Sequence, residues 1–234
     1  MSAPEGVGAR EPVRRQAAAE SRSGREALAR VLLIAFGLAV AVDLGSLLAG
    51  AEAGHQIAKP LLMPLLAGHV YARGGRRMLV AALLCGWGGD VFLLASADIA
   101  FLLGMGCFAA GHVCYLLLFG RGRTHPALGI GIGYGIALVA AVAALWPDLP
   151  ADLRIPVAGY SVLLTAMAYR SSRFGLLVGL GGALFLLSDM LIATGVADWP
   201  QLPRPDFWIM LTYLGAQVLL AQAYRERPVP LPTV

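Results

Sequence analysis

Lysine is almost missing from this chain: 234 residues hold one, Lys59, and the other 17 of the 18 basic residues are arginine. Charge of either sign is scarce, at 14% of residues against 58% hydrophobic. A soluble domain of this size needs more polar surface than that, and with a mean hydropathy of +0.72 the composition belongs to an integral membrane protein. Cysteine is also sparse. Cys85, Cys107 and Cys114 all lie inside apolar segments, at a spacing that fits no zinc or redox motif. This excludes a disulfide-built secreted scaffold and leaves them as small packing residues. A pI near 9.2 would suit a nucleic-acid binder if the arginines shared one amphipathic face. They alternate with hydrophobic segments instead, so no nucleic-acid partner is expected.

What is present is a succession of apolar runs, each about 17 to 24 residues long, the length that crosses a bilayer. They cover residues 27–50, 55–72, 77–96, 99–119, 126–146, 152–170, 173–195 and 207–224. The expected fold class is all-α, a polytopic bundle of eight transmembrane helices (residues 27–225). Residues 1–26, polar and without apolar periodicity, are expected to be a disordered tail, and 226–234 a short C-terminal tail. Arginines crowd the N-terminal tail, the loops near 75, 122 and 171, and the C-terminus. The alternate loops hold only Arg154 and Arg204 among six acidic residues. The positive-inside rule therefore puts both termini in the cytoplasm. Gly129/Gly133, Gly131/Gly135 and Gly175/Gly179 repeat a small-xxx-small spacing that lets membrane helices approach closely. Heavy use of Ala, Gly and Arg points to a bacterial source, hence to the cell membrane.

Against this background, Asp90 and Asp189 stand out. An ionisable group at membrane depth costs at least about 2.5 kcal/mol, so it faces the bundle interior and marks function. With about 1.5 Å of rise per residue, Asp43, Lys59, Asp90, Tyr160, Asp189, Tyr213 and Gln217 converge on one layer, roughly 10 Å inside the outward-facing side. His112 falls off that layer, towards the cytoplasmic half. Two carboxylates facing one lysine leave one acid without a partner. If Lys59 keeps one aspartate ionised while the other stays protonated in its apolar shell, the pair can act as acid and base. Such a pair suits hydrolysis at an acetal-like carbon, where an oxocarbenium ion forms and water attacks it. The competing reading is a proton-coupled transporter of lipids or small molecules, because intramembrane acids also build proton relays. A lone histidine beside two aspartates is too little for a metal site, and no cofactor is expected.

The order and spacing of several fragments resemble the YhhN-like lysoplasmalogenase family of eight-span membrane proteins. They are Lys59-Pro60, Gly89-Asp90, the stripe Phe101, Gly104, Phe108, Gly111-His112, Tyr115, then Gly182-Ala183-Leu184-Phe185 with Ser188-Asp189, and Tyr213 with Gln217. The resemblance covers about residues 30–225. It implies hydrolysis of the vinyl ether bond of lysoplasmalogens, with a lysophospholipid as substrate and the membrane lipid as surroundings. In that light Asp90 and Asp189 are the expected catalytic residues. Lys59, His112, Tyr115, Ser188, Tyr213 and Gln217 are expected to orient the acids or to bind substrate.

Overall fold

A computed structural model describes residues 10–95, 97–120 and 128–224. Among them the chain is helical throughout, without a β-strand: α1 (Arg10–Ala49), α2 (Glu52–Ala72), α3 (Arg77–Phe92), α4 (Asp98–Phe119), α5 (Leu128–Leu145), α6 (Arg154–Ser171), α7 (Leu176–Val196) and α8 (Pro205–Ala221), closed by a 3-10 turn, Gln222–Tyr224. Each expected span has its helix. Four helices are long and apolar enough to cross a membrane by length and composition: Glu20–Ala49 of α1, α4, α5 and α7. The others are shorter or interrupted by polar and Pro residues, α3 having 16 residues and α8 having 17.

The N-terminal boundary differs from expectation. Helix α1 begins at Arg10, so residues 10–26, read from sequence as disordered, are helical. Ala, Arg and Glu dominate this stretch and are good helix formers without any apolar face; polarity was mistaken for disorder. Residues 1–9 and 225–234, which include the expected C-terminal tail, lie outside the described residues.

Polar and apolar groups are sorted in the sense opposite to a water-soluble protein. Asp43, Lys59, Asp90, His112, Ser188 and Gln217 are buried, while Leu28, Ile34, Leu38, Ile136, Val139 and Leu176 are exposed. An exterior of branched aliphatic side chains over a polar interior is the arrangement lipid solvation favours. The core runs between α2, α3, α4, α7 and α8 around Leu62, Met63, Leu83, Tyr115, Phe185 and Leu220. Helix α5 stands apart, resting mainly on α6 and burying only Leu145.

Two devices bring the helices together. Pro60 and Pro64 sit inside α2, and Pro64 has no N–H to give the carbonyl four residues before it. The indole Nε1–H of Trp87 on α3 donates to that Pro60 carbonyl at 2.9 Å, replacing the lost intrahelical bond. Glycine provides the second device, at positions other than the expected ones. A Cβ on Gly181 of α7 would meet Leu220 N at 2.9 Å and Ala216 O at 3.0 Å, so α7 and α8 touch backbone to backbone. Of the pairs expected to pack, Gly179 does lie against Ser172, but Gly129, Gly133 and Gly135 face open space. Gly131 alone of the α5 glycines has a neighbour among the described residues, the Tyr169 ring of α6 at 3.4 Å.

Candidate active site

Buried and half-buried polar side chains form three hydrogen-bonded units. Near the α1–α2 turn, His55 Nδ1 lies 2.8 Å from Asp43 Oδ1, with Asp43 fully buried and its Oδ2 unpartnered. Lys59, one turn after His55 on the same face of α2, is buried but makes no ion pair. Among the described residues no aspartate lies within ion-pair distance of Lys59. His55, overlooked in the sequence because it opens its helix, takes the acid of α1 instead. Lys59 still lies within electrostatic reach of Asp90, as do Asp43 and Asp189.

The second unit joins α3, α4 and α8. Tyr213 Oη donates to Asp90 Oδ2 at 2.8 Å, and Tyr115 Oη donates to Gln217 Oε1 at 2.7 Å. All four side chains are buried. Helical spacing makes this possible: Tyr213 and Gln217 are one turn apart on α8 and present one face to α3. There the absence of a side chain at Gly86 leaves room, since a Cβ would sit 3.0 Å from Gln217 Nε2 and 3.1 Å from Tyr213 Oη.

The third unit joins α4, α6 and α7. Tyr160 Oη donates to Asp189 Oδ2, and His112 Nε2 lies 3.0 Å from the same hydroxyl. Because that hydroxyl spends its proton on Asp189, its lone pair accepts from His112 Nε2–H. His112 Nδ1 is then a bare acceptor, and it is buried without a partner. His112 is thus tied to the acid layer from which its position along α4 seemed to exclude it. The reach of the Tyr160 side chain closes the gap. Tyr160, placed on the layer by sequence but not singled out, is the link between the two.

An aromatic wall separates the second unit from the third. Phe108, Phe185 and Tyr213 meet edge to face, with centroids 5.5 to 6.2 Å apart, and His112 packs on Phe185 at 4.7 Å. A narrow cleft of about 150 Å³, its open side included, is lined by Gly86, Gly111, His112, Tyr115, Phe185 and Gln217. The larger cavity touches one acid. It is a groove of about 980 Å³, its open mouth included, between α4, α5, α6 and α7, and Asp189 and Tyr160 line it while Asp90 does not. Neither the groove nor the cleft is lined by both aspartates: equal depth along a helix says nothing about the face. Ser188, one residue before Asp189 and so turned about 100° away, donates its Oγ to the Ile209 carbonyl at 3.0 Å and clamps α7 to α8. Among the described residues no cluster of three or more metal-type ligands occurs.

The comparisons with known proteins bear on the same residues. The YhhN family model matches residues 54–224, a stretch that contains Lys59, Asp90, Asp189 and Gln217. A human protein named lysoplasmalogenase TMEM86B is 35% identical over 161 residues, 67% of each chain. Its pig counterpart is 34% identical over 71% of this chain and 74% of its own. A Mycobacterium tuberculosis lysoplasmalogenase is 31% identical over 221 residues, 83% of this chain and 82% of its own. No solved structure matches. With matches of this extent over the helices that carry all three polar units except Asp43, the chain belongs to the YhhN family.

Proposed function

We propose that this protein hydrolyses the vinyl ether bond of lysoplasmalogens, releasing a fatty aldehyde and a glycerophospho-choline or -ethanolamine. The observation that carries this reading is the likeness to lysoplasmalogenases over the helices that hold Asp90 and Asp189. Nothing in the comparisons favours the transporter reading.

In this reading the chemistry runs at Asp189. Its carboxylic acid transfers a proton to the β-carbon of the vinyl ether, leaving an oxocarbenium ion and an aspartate. The new carboxylate stabilises the cation and takes a proton from the water that attacks the α-carbon. The hemiacetal then collapses to aldehyde and a free glycerol hydroxyl, and Asp189 has its proton back. Tyr160 and His112 orient the carboxyl group. Asp90, held by Tyr213 and facing the charge of Lys59, is the second acid of the pair. Through the Tyr213 edge of the aromatic wall it supplies fixed negative charge behind the cation, while Tyr115 and Gln217 hold Tyr213's surroundings in place. Ser188 positions Asp189 by anchoring its helix.

All eight helices cross the membrane in this proposal, with both termini cytoplasmic and residues 27–225 forming the catalytic bundle. The arginine bias supports that orientation, and it sets Asp189 below the outward surface. The test is aldehyde release from lysoplasmalogen by purified protein in detergent. Wild type should release aldehyde, and Asp189→Asn should lose at least about 100-fold in rate, the usual share of a general acid. Asp90→Asn should lose less. Release that survives both substitutions would refute aspartate catalysis.

A further inference from the structure

The groove beside Asp189 has polar groups at defined heights in an otherwise apolar wall. Arg154, at the first turn of α6, lies at one end. Tyr160 and Asp189 follow, then Thr165 one to two turns further along α6. Between them the lining is aliphatic and aromatic, with the small side chains Ala137, Ala141 and Ala193 leaving the space. Resting on the proposed function, we propose that this groove seats the lysophospholipid with its phosphate on Arg154, its vinyl ether bond beside Asp189 and its hydrocarbon tail between α5 and α7.

Spacing supports the assignment. Arg154 and Tyr160 are six residues apart on α6, a rise of about 9 Å, comparable to the reach from a phosphate through glycerol to the first carbons of the chain. A lipid whose phosphate meets Arg154 therefore presents the first carbons of its chain to the acid that Tyr160 holds. Charge supports it as well. Arg154 Nε donates to the Leu149 carbonyl and Nη2 to the Pro147 carbonyl, both at 3.1 Å. These bonds fix the guanidinium on the α5–α6 turn and leave its remaining donors for an anion, which a guanidinium binds in bidentate fashion. Arg154 is the one cationic side chain among the residues that line the groove, so the phosphate has one end at which to settle. The same polarity, head outward and tail inward, is that of a lipid in the outer leaflet, and entry requires no inversion. Helix α5 forms the wall on the lipid side. It buries only Leu145, and Gly129, Gly133 and Gly135 have no neighbour, so a single chain can enter beside it without breaking a packed interface. Arg154 is invisible as a site residue in the sequence, where it is one of two basic residues among the outward loops.

Two substrates with the same vinyl ether separate binding from architecture: lysoplasmalogen, and the neutral 1-alkenylglycerol that lacks the phosphate. Arg154→Gln should lower the ratio of their kcat/KM values, lysoplasmalogen over alkenylglycerol, by about tenfold, the scale of one charge-assisted contact, chiefly through KM. Arg154→Lys, which keeps the charge, should restore part of the ratio. Equal losses on both substrates would mean that Arg154 only holds the turn, and would overturn the phosphate assignment. A non-hydrolysable 1-O-alkyl lysophospholipid with a photoactivatable tail tests the seat without catalysis. Labelling of α5 and α7 around Ala141 and Ala193, suppressed by Ala193→Trp, is expected; labelling confined to other helices would overturn the proposal. If wild type labels as expected yet cleaves neither substrate, the proposed reaction fails while the lipid seat stands.

Discussion

Tyr160→Phe removes one oxygen and breaks the third polar unit at its centre. Asp189 Oδ2 loses its donor and His112 Nε2 its acceptor. A buried polar group left unpaired costs about 1 to 3 kcal/mol. Asp189 faces the groove, where water can take the vacant place, so its share is near the lower end. His112 is 1% exposed and its Nδ1 is already unpartnered; its share is nearer 2 kcal/mol by the same range. The sum, about 3 kcal/mol, corresponds to a midpoint lower by roughly 6 to 12 °C for a chain of this length. Catalysis suffers separately, because an acid free to rotate no longer points at the β-carbon. A displacement of about 1 Å costs about 100-fold. Thermal unfolding in detergent and aldehyde release, measured on the same preparation, check both. A lowered midpoint with an unchanged rate per folded molecule would refute the role given to Tyr160 in orienting Asp189. An unchanged midpoint would refute the hydrogen-bonded unit itself.

Other perturbations probe the supporting structure. Gly181→Ala puts a methyl group within 3.0 Å of the α8 backbone, so α7 and α8 must part; a loss of about 1 to 3 kcal/mol is expected from overpacking, read as a lower unfolding midpoint. Trp87→Phe leaves the Pro60 carbonyl without its donor, and should cost about 1 kcal/mol in the same assay. Tyr213→Phe deprives buried Asp90 of its donor; stability should fall by about 1 to 3 kcal/mol while the rate falls less than with Tyr160→Phe, since Asp90 does not line the groove. His55→Ala leaves both carboxyl oxygens of buried Asp43 without a partner, and should cost up to about 3 kcal/mol, the most of the four. An equal midpoint for wild type and His55→Ala would show that Asp43 does not depend on its contact with His55.

Much of the architecture was legible in the chain. Each of the eight helices falls on an apolar run bounded by Gly, Pro or charge, and a helix satisfies its backbone groups within a single segment. The height of each polar residue along its own helix was legible too, since rise along a helix is constant. An inward position for Asp90 and Asp189 was legible as well, from their cost in an apolar segment, and both are held there by tyrosine hydroxyls. Helix rotation was not legible, and rotation decides partners. The chain placed Lys59, Asp43, Asp90 and Asp189 at one height, and height alone suggested that the lysine would take an acid. Packing of α1 on α2 gave Asp43 to His55, and packing of α8 on α3 gave Asp90 to Tyr213. The same packing put the Phe108–Phe185–Tyr213 wall between the two acids, so only one of them opens on the groove. Composition and spacing along a single helix determine what is buried and how deep. Which buried groups touch depends on contacts between residues as far apart as 90 and 213, and those exist only once the helices have chosen the faces they turn towards one another.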